Sequence, residues 1–236
     1  MNIGKVKISC YSIDELLNFS DSLKHIITVN AEAIVRSHNE PRLLQIINNG
    51  SSTIDGQIPL WIYKMKYPDI KIEKLSGSDL IYDICDYASK NNLKLFLLGG
   101  NEDSNKISVN KLQNLYKIKI AGFSPEYTPY PFAKDFNDKI LNKIQSFSPD
   151  IIFVGFGMGK QEFWIDDNKK LLNSMGVKLA VGCGGTFDFV VERFNRAPVF
   201  IQKIGLEGVW RFIMEPKWFR FKRLLLSTKI FYYAFK

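Results

Sequence analysis

Cysteine and histidine are scarce in this 236-residue sequence. Cys10, Cys85 and Cys183 stand far apart with no Cys-x-x-Cys pair. That excludes a zinc knuckle and a disulfide framework, and it favours a reducing, cytoplasmic setting. The two histidines, His25 and His38, supply no metal cluster. No Gly-x-x-x-x-Gly-Lys-[Ser/Thr] occurs, which argues against a P-loop, and no Gly-x-Ser-x-Gly supports a hydrolase elbow. Asp-x-Asp is also missing, and with it the carboxylate pair that commonly holds a divalent ion against a diphosphate. The chemistry is therefore expected to need neither metal nor cofactor. Long apolar runs are absent too: no stretch approaches the ~18 uninterrupted apolar residues of a spanning helix. Met1 to Lys7 lacks the apolar core of a signal peptide, so the chain is expected not to cross a membrane.

What is present suffices for a full core. With 46% hydrophobic residues, the chain can form one large α/β domain with a small appendage. The net charge of +8 is unevenly spread: from Arg196 to Lys236 nine Lys/Arg face two acids, a balance of +7. Such asymmetry marks a basic terminal segment that meets an anionic partner, lipid phosphate or nucleic acid.

Hydrophobic patterning alternates between strands and helices. His25 to Asn30 reads as a first strand and Ala31 to Asn49 as a helix that Pro41 breaks or kinks. Ser51 to Ile54 reads as a short strand ending in the turn pair Asp55-Gly56. A helix over Ser78 to Asn91 and a buried strand over Lys94 to Leu98 follow, then a helix from Glu102 to Tyr116 and a strand from Lys117 to Ala121. Gly122 to Pro131 is expected as a long loop and Phe132 to Ser146 as a helix. Ile151 to Val154 is apolar without alternation, as in a parallel strand covered on both faces. The helix Lys160 to Ser174 and a last strand Val177 to Val181 complete residues 1–195 as a Rossmann-like, doubly wound, mostly parallel α/β domain. Residues 196–236 form the basic helical appendage, and the ligand crevice is expected at the carboxyl ends of the strands.

Two glycine clusters follow strands: Gly155, Gly157 and Gly159, then Gly182 to Gly185. Glycine lets a ligand approach the backbone, and the helix behind the first cluster offers N–H groups to an anion. Structural turns use glycine as well, so this signal is weak alone. Polar residues also collect at predicted strand ends: Thr28 and Asn30, Asp55, and Gln161. A carboxylate there can act as a general base for an incoming hydroxyl. Asp55 equally suits a plain Asp-Gly turn, Asn30 a helix N-cap and Asp188 a helix cap or a ribose ligand.

In order along the chain, the motifs Thr28-Val29-Asn30-Ala31-Glu32, Ile54-Asp55-Gly56, Leu75 to Leu80, Leu97-Leu98-Gly99-Gly100, Val154 to Gly157 with Lys160-Gln161-Glu162, Gly184 to Asp188 and Arg196-Ala197-Pro198 make a pattern, continued by Gly205-Leu206-Glu207, Arg211 and Glu215-Pro216. In this series the sequence resembles the WecG/TagA/CpsF glycosyltransferases of bacterial cell-wall, capsule and exopolysaccharide synthesis. The resemblance implies inverting, metal-independent transfer of an N-acetylmannosamine-type sugar, or its uronic acid, from a UDP-sugar donor to a sugar on undecaprenyl diphosphate. It makes Asp55 the catalytic base. Thr28, Asn30, Lys74 and Gln161 would line the substrate pocket, and Gly155, Gly157 and Asp188 would meet the nucleotide. Arg196, Arg211, Arg220 and Arg223 would grip the lipid diphosphate of the polyprenyl-linked acceptor.

This chain departs from that family pattern at Lys74, where arginine is usual, at Gly159, where proline is usual, and at Gly208, where tryptophan is usual. The C-terminal segment from Gly205 reads as two helices, with Pro216 at the start of the second. It mixes Lys217, Arg220, Lys222, Arg223 and Lys229 with Trp218, Phe221, Leu224, Phe231 and Tyr232. This composition suits an interfacial helix on an anionic membrane surface. The resemblance thus implies a peripheral protein on the inner face of the bacterial plasma membrane, with no nucleic-acid partner and compatible with a homo-oligomer. Two other readings stay open from the residues alone. One is a nucleotide-dependent oxidoreductase, which lacks Gly-x-Gly-x-x-Gly after its first strand. The other is a non-enzymatic nucleotide- or RNA-binding module with a basic tail.

Overall fold

The computed structural model describes residues 1–19, 22–193 and 197–235. It opens with a small antiparallel hairpin, β1 (Asn2–Ile3) and β2 (Val6–Lys7), and the short helix α1 (Ile13–Leu17). Then follow β3 (Lys24–Val29), α2 (Ala31–Ser37), α3 (Pro41–Asn49), β4 (Ser51–Ile54), α4 (Gln57–Lys66) and α5 (Gly77–Lys90). After these come β5 (Lys94–Gly99), α6 (Glu102–Tyr116), β6 (Lys119–Phe123), α7 (Lys134–Phe147), β7 (Ile151–Gly155), α8 (Lys160–Ser174) and β8 (Leu179–Gly182). The chain ends in helices α9 (Thr186–Val190), α10 (Val199–Lys203), α11 (Glu207–Met214), α12 (Trp218–Thr228) and α13 (Ile230–Tyr233).

Strands β3 to β8 make a six-stranded parallel sheet in the order β4-β3-β8-β7-β5-β6. The α/β, Rossmann-like architecture expected from the alternating pattern is therefore present, with C-terminal helices after it. Pro41 ends the first predicted helix as its missing N–H requires: α2 stops at Ser37 and Pro41 opens α3 in its first turn. The apolar segment around Pro59 to Met65 folds as α4. The N-terminal hairpin and α1 carried no sequence expectation, and the two C-terminal helices expected after Gly205 are three, α11 to α13.

Contacts along the chain define two compact units. One holds Met1–Glu15, Ile27–Ser76 and the C-terminal residues, and the other holds Leu16–Ile26 and Gly77–Arg193. In the first unit, α12 and α13 pack on α2. The chain end is fixed there: Gly4 N and Lys66 Nζ both donate to the Ala234 carbonyl, at 3.0 and 3.1 Å. In the second unit Phe96, Leu98, Ile152, Val154 and Ala180 from the sheet bury against Ile140, Ile144, Trp164 and Ile165 from α7 and α8. Burial on both sheet faces explains why these strands read as unbroken apolar runs.

Candidate active site

In the first unit the structure gathers four of the residues singled out from the sequence. Thr28 lies near the end of β3, buried, and Asn30 is the half-buried residue just after it. The Asn30 side chain accepts from Ala33 N at 3.0 Å and so caps α2. Asp55 follows β4, and its N–H donates to the Val29 carbonyl at 2.9 Å. That bond sets Asp55 beside Val29, between Thr28 and Asn30 along the neighbouring strand. Gly56, at φ +93°, then turns the chain sharply into α4. On the other side, Ile54 pairs with Lys74 in a parallel bridge, reinforced by Leu75 N donating to the Ile54 carbonyl at 2.9 Å. Thr28, Asn30, Asp55 and Lys74 thus stand at adjoining backbone positions at the carboxyl ends of β3 and β4.

The second unit holds the glycine turns. Gly100 N donates to the Gly155 carbonyl, and Cys183 N to the Val154 carbonyl, both at 3.0 Å, so the turns after β5, β7 and β8 lie against one another. A Cβ at Gly155 would stand 2.9 Å from the Gly184 carbonyl and 3.0 Å from the Phe187 ring. No other residue fits there without moving backbone. Gln161 and Glu162, in the first turn of α8, are fully buried among these turns. Gln161 Oε1 accepts from Gly157 N at 3.1 Å and from Gly184 N at 3.0 Å. Glu162 reaches back to Gly159 N at 2.6 Å, the carboxylate half of a capping box. Glu162 belongs to the Lys160-Gln161-Glu162 motif, but its type alone announces no role. Its signal was the position three residues after the glycine that precedes the helix.

Asp188 sits half-buried on α9, with Oδ1 accepting from Ser104 Oγ at 2.7 Å and an Arg193 Nη1 at 3.9 Å. Ser104 is a partner that sequence reading missed. Cys183 is buried in its turn, and burial pushes its thiol pKa up. Among the described residues no group of three or more His, Cys, Asp or Glu is placed to hold a metal ion.

The C-terminal arginines are engaged within their own unit. Arg220 holds Glu215, with Nε to Oε2 at 3.0 Å and a second contact through Nη2. Arg223 Nε meets Glu32 Oε2 at 2.7 Å. Arg211 is half-buried on α11, and Arg196 lies outside the described residues. No helix among the described residues is long and apolar enough to cross a membrane.

A six-stranded parallel sheet flanked by helices defines a Rossmann-like α/β protein. A sequence model of the glycosyl transferase WecG/TagA/CpsF family matches residues 1–236, and the chain belongs to that family. It is a glycosyltransferase, with a nucleotide-sugar donor and a sugar acceptor, which sets aside the oxidoreductase and binding-module readings.

Proposed function

We propose that this enzyme transfers an N-acetylmannosamine-type sugar, or its uronic acid, from UDP to a sugar carried on undecaprenyl diphosphate, with inversion and without a metal. The observation that carries the reading is the Asp55 N–H bond to the Val29 carbonyl, which sets Asp55 beside Val29, the residue between Thr28 and Asn30. Asp55 takes the proton from the acceptor hydroxyl as that oxygen bonds to the anomeric carbon. The bond from that carbon to the phosphate oxygen breaks on the opposite face, and UDP leaves with its electron pair. Lys74 supplies positive charge toward the departing diphosphate, and Asp188 meets the nucleoside. Thr28 and Asn30 orient the sugar.

The C-terminal helices bring the enzyme to the lipid acceptor. Trp218, Leu225, Phe231, Tyr232 and Phe235 are exposed beside Lys217, Lys222 and Lys229, a mixture suited to an anionic headgroup layer. Arg211, Arg220 and Arg223 are the groups for the lipid diphosphate. The test is UDP release with each UDP-sugar and a polyprenyl-diphosphate N-acetylglucosamine analogue. Release that requires the acceptor, and falls by about 10²- to 10⁴-fold in Asp55→Asn, is the expected result. Undiminished turnover in the variant removes Asp55 as base, and no release with either donor removes the donor assignment.

A further inference from the structure

We propose that Gln161 and Glu162 act as a positioning clamp that sets the spacing of the turns after β7 and β8, and that Gln161 serves the donor through those turns rather than by touching it. An amide oxygen has two lone pairs. In Gln161 both are spent, one on Gly157 N and one on Gly184 N, residues that follow different strands. Gln161 Nε2 donates to Glu162 Oε1 at 2.8 Å, and the other Glu162 oxygen accepts from Gly159 N. One amide and one carboxylate therefore collect three backbone N–H groups from two turns. Both side chains are fully buried, Gln161 being 1% and Glu162 0% exposed.

The surroundings are cut to fit the pair. A Cβ on Gly182 would lie 2.7 Å from Gln161 Nε2 and 2.9 Å from Glu162 Oε1, so the last residue of β8 leaves its side-chain space to the clamp. Gly157 is at φ +89° and Gly159 at φ +88°. These conformations turn the N–H groups of the β7 turn back onto the two side chains. A buried polar network of this kind rigidifies when every member is satisfied and fails when one is mismatched. The donor-side consequence rests on the reading above that the nucleotide binds at these turns; the clamp itself does not.

The bonding pattern gives a test by exchange of partners. Gln161→Glu alone sets two carboxylates face to face, and Glu162→Gln alone sets an amide N–H against either Gly159 N–H or the other amide. Combined, the two substitutions remake all four bonds. The introduced carboxylate accepts from Gly157 and Gly184, and the introduced amide donates to it and accepts from Gly159. Hydrogen exchange of segments 155–160 and 182–186 in the full chain, without ligand, reads the clamp directly, and UDP titration reads the donor.

Each single substitution is expected to speed exchange in both segments and weaken UDP binding about tenfold, and the double substitution to restore both to within about twofold. If Gln161→Glu does not fold, Glu162→Gln carries the single arm. A double variant that fails to fold, or exchanges as fast as the single ones, overturns the clamp. Restored exchange with UDP binding still lost makes the Gln161 amide a direct ligand and overturns the positioning role. A wild-type chain that does not bind UDP counts against the proposed donor, while the exchange measurement still decides the clamp.

Discussion

Arg223 on α12 reaches Glu32 in the first turn of α2, Nε to Oε2 at 2.7 Å, and the same helix is capped by Asn30. One short helix therefore carries a proposed substrate residue at its N-cap and the anchor of the C-terminal helices two residues later. At its other end, His38 lies against the Tyr233 ring with 4.5 Å between centroids. Docking of the C-terminal helices and the shape of the Asn30 turn are thus joined through α2.

Glu32 is largely buried and Arg223 half exposed, at 13% and 45%, so solvent screens the pair from one side. Glu32→Gln and Arg223→Gln are each expected to cost about 1 kcal/mol, with a coupling of roughly 0.5–1 kcal/mol in the double variant. Urea unfolding of the four proteins measures this. Strict additivity would mean that the two side chains do not work as a pair.

Gly159 offers a sharper test of local backbone. Its φ of +88° and ψ of −59° lie far from the φ of about −65° that proline imposes, and its N–H is bonded to Glu162. Gly159→Pro, which installs the residue usual in the family pattern, is expected to cost about 3 kcal/mol or more. Gly159→Ala keeps the N–H and is expected to cost about 1–3 kcal/mol from the φ alone. Thermal melts that rank wild type, alanine and proline in any other order contradict this turn.

Much of the fold was legible because its strands are buried on both faces and its helices are long and periodic. Ser51–Ile54, Glu102–Tyr116 and Lys160–Ser174 are found at the predicted bounds. The hairpin Asn2–Ile3 and Val6–Lys7 escaped because two-residue strands carry no periodicity. At the candidate site, the places of Thr28, Asn30 and Asp55 at strand ends are legible, because each closes an apolar run. Their neighbour Lys74 depends on a single bridge to Ile54, which no local pattern announces. The bonds of Gln161 to two separate turns were equally hidden, since Gly184 is 23 residues away. Gly208 likewise explains itself only in three dimensions: a Cβ there would stand 3.1 Å from Leu224 Cδ2, so a larger residue needs that α12 side chain to shift.

Lys160 opens α8, a position that disfavours a cation, and it is compensated by aromatic rings. Its Nζ lies 4.8, 4.9 and 5.3 Å from the centroids of Tyr127, Phe132 and Phe156 and donates to the Thr128 carbonyl. Burial lowers its pKa from 10.5. Between that lowered value and 10.5 the unfolded chain binds more protons than the folded one, so this group adds stability as pH rises through the window. Below the lowered value both states are protonated and the burial cost is constant. Lys160→Met is expected to remove that rise and, at neutral pH, to cost about 1–2 kcal/mol through the lost ring contacts. Urea midpoints of both proteins at pH 7.5 and 10 decide it; parallel pH dependences would show that Lys160 titrates as in the unfolded chain.

The exposed face of the C-terminal helices can be tested apart from catalysis. Trp218, 67% exposed, stacks on Phe221 at 5.5 Å, and Lys222 Nζ lies 5.4 Å from the Trp218 ring. A cation and an indole therefore project from one turn of helix, one suited to lipid phosphate and the other to the interface. Neutralising a basic side chain near an anionic surface costs about 1 kcal/mol, so Lys222→Gln and Lys229→Gln together are expected to weaken binding to anionic vesicles about 30-fold. Trp218→Ser removes apolar burial and is expected to weaken binding in a way that added salt does not mimic. Flotation with phosphatidylglycerol-containing and neutral vesicles, at low and high salt, separates the two contributions. Equal flotation with both vesicle types would assign binding to the aromatic groups alone, and no flotation with either would end the membrane reading.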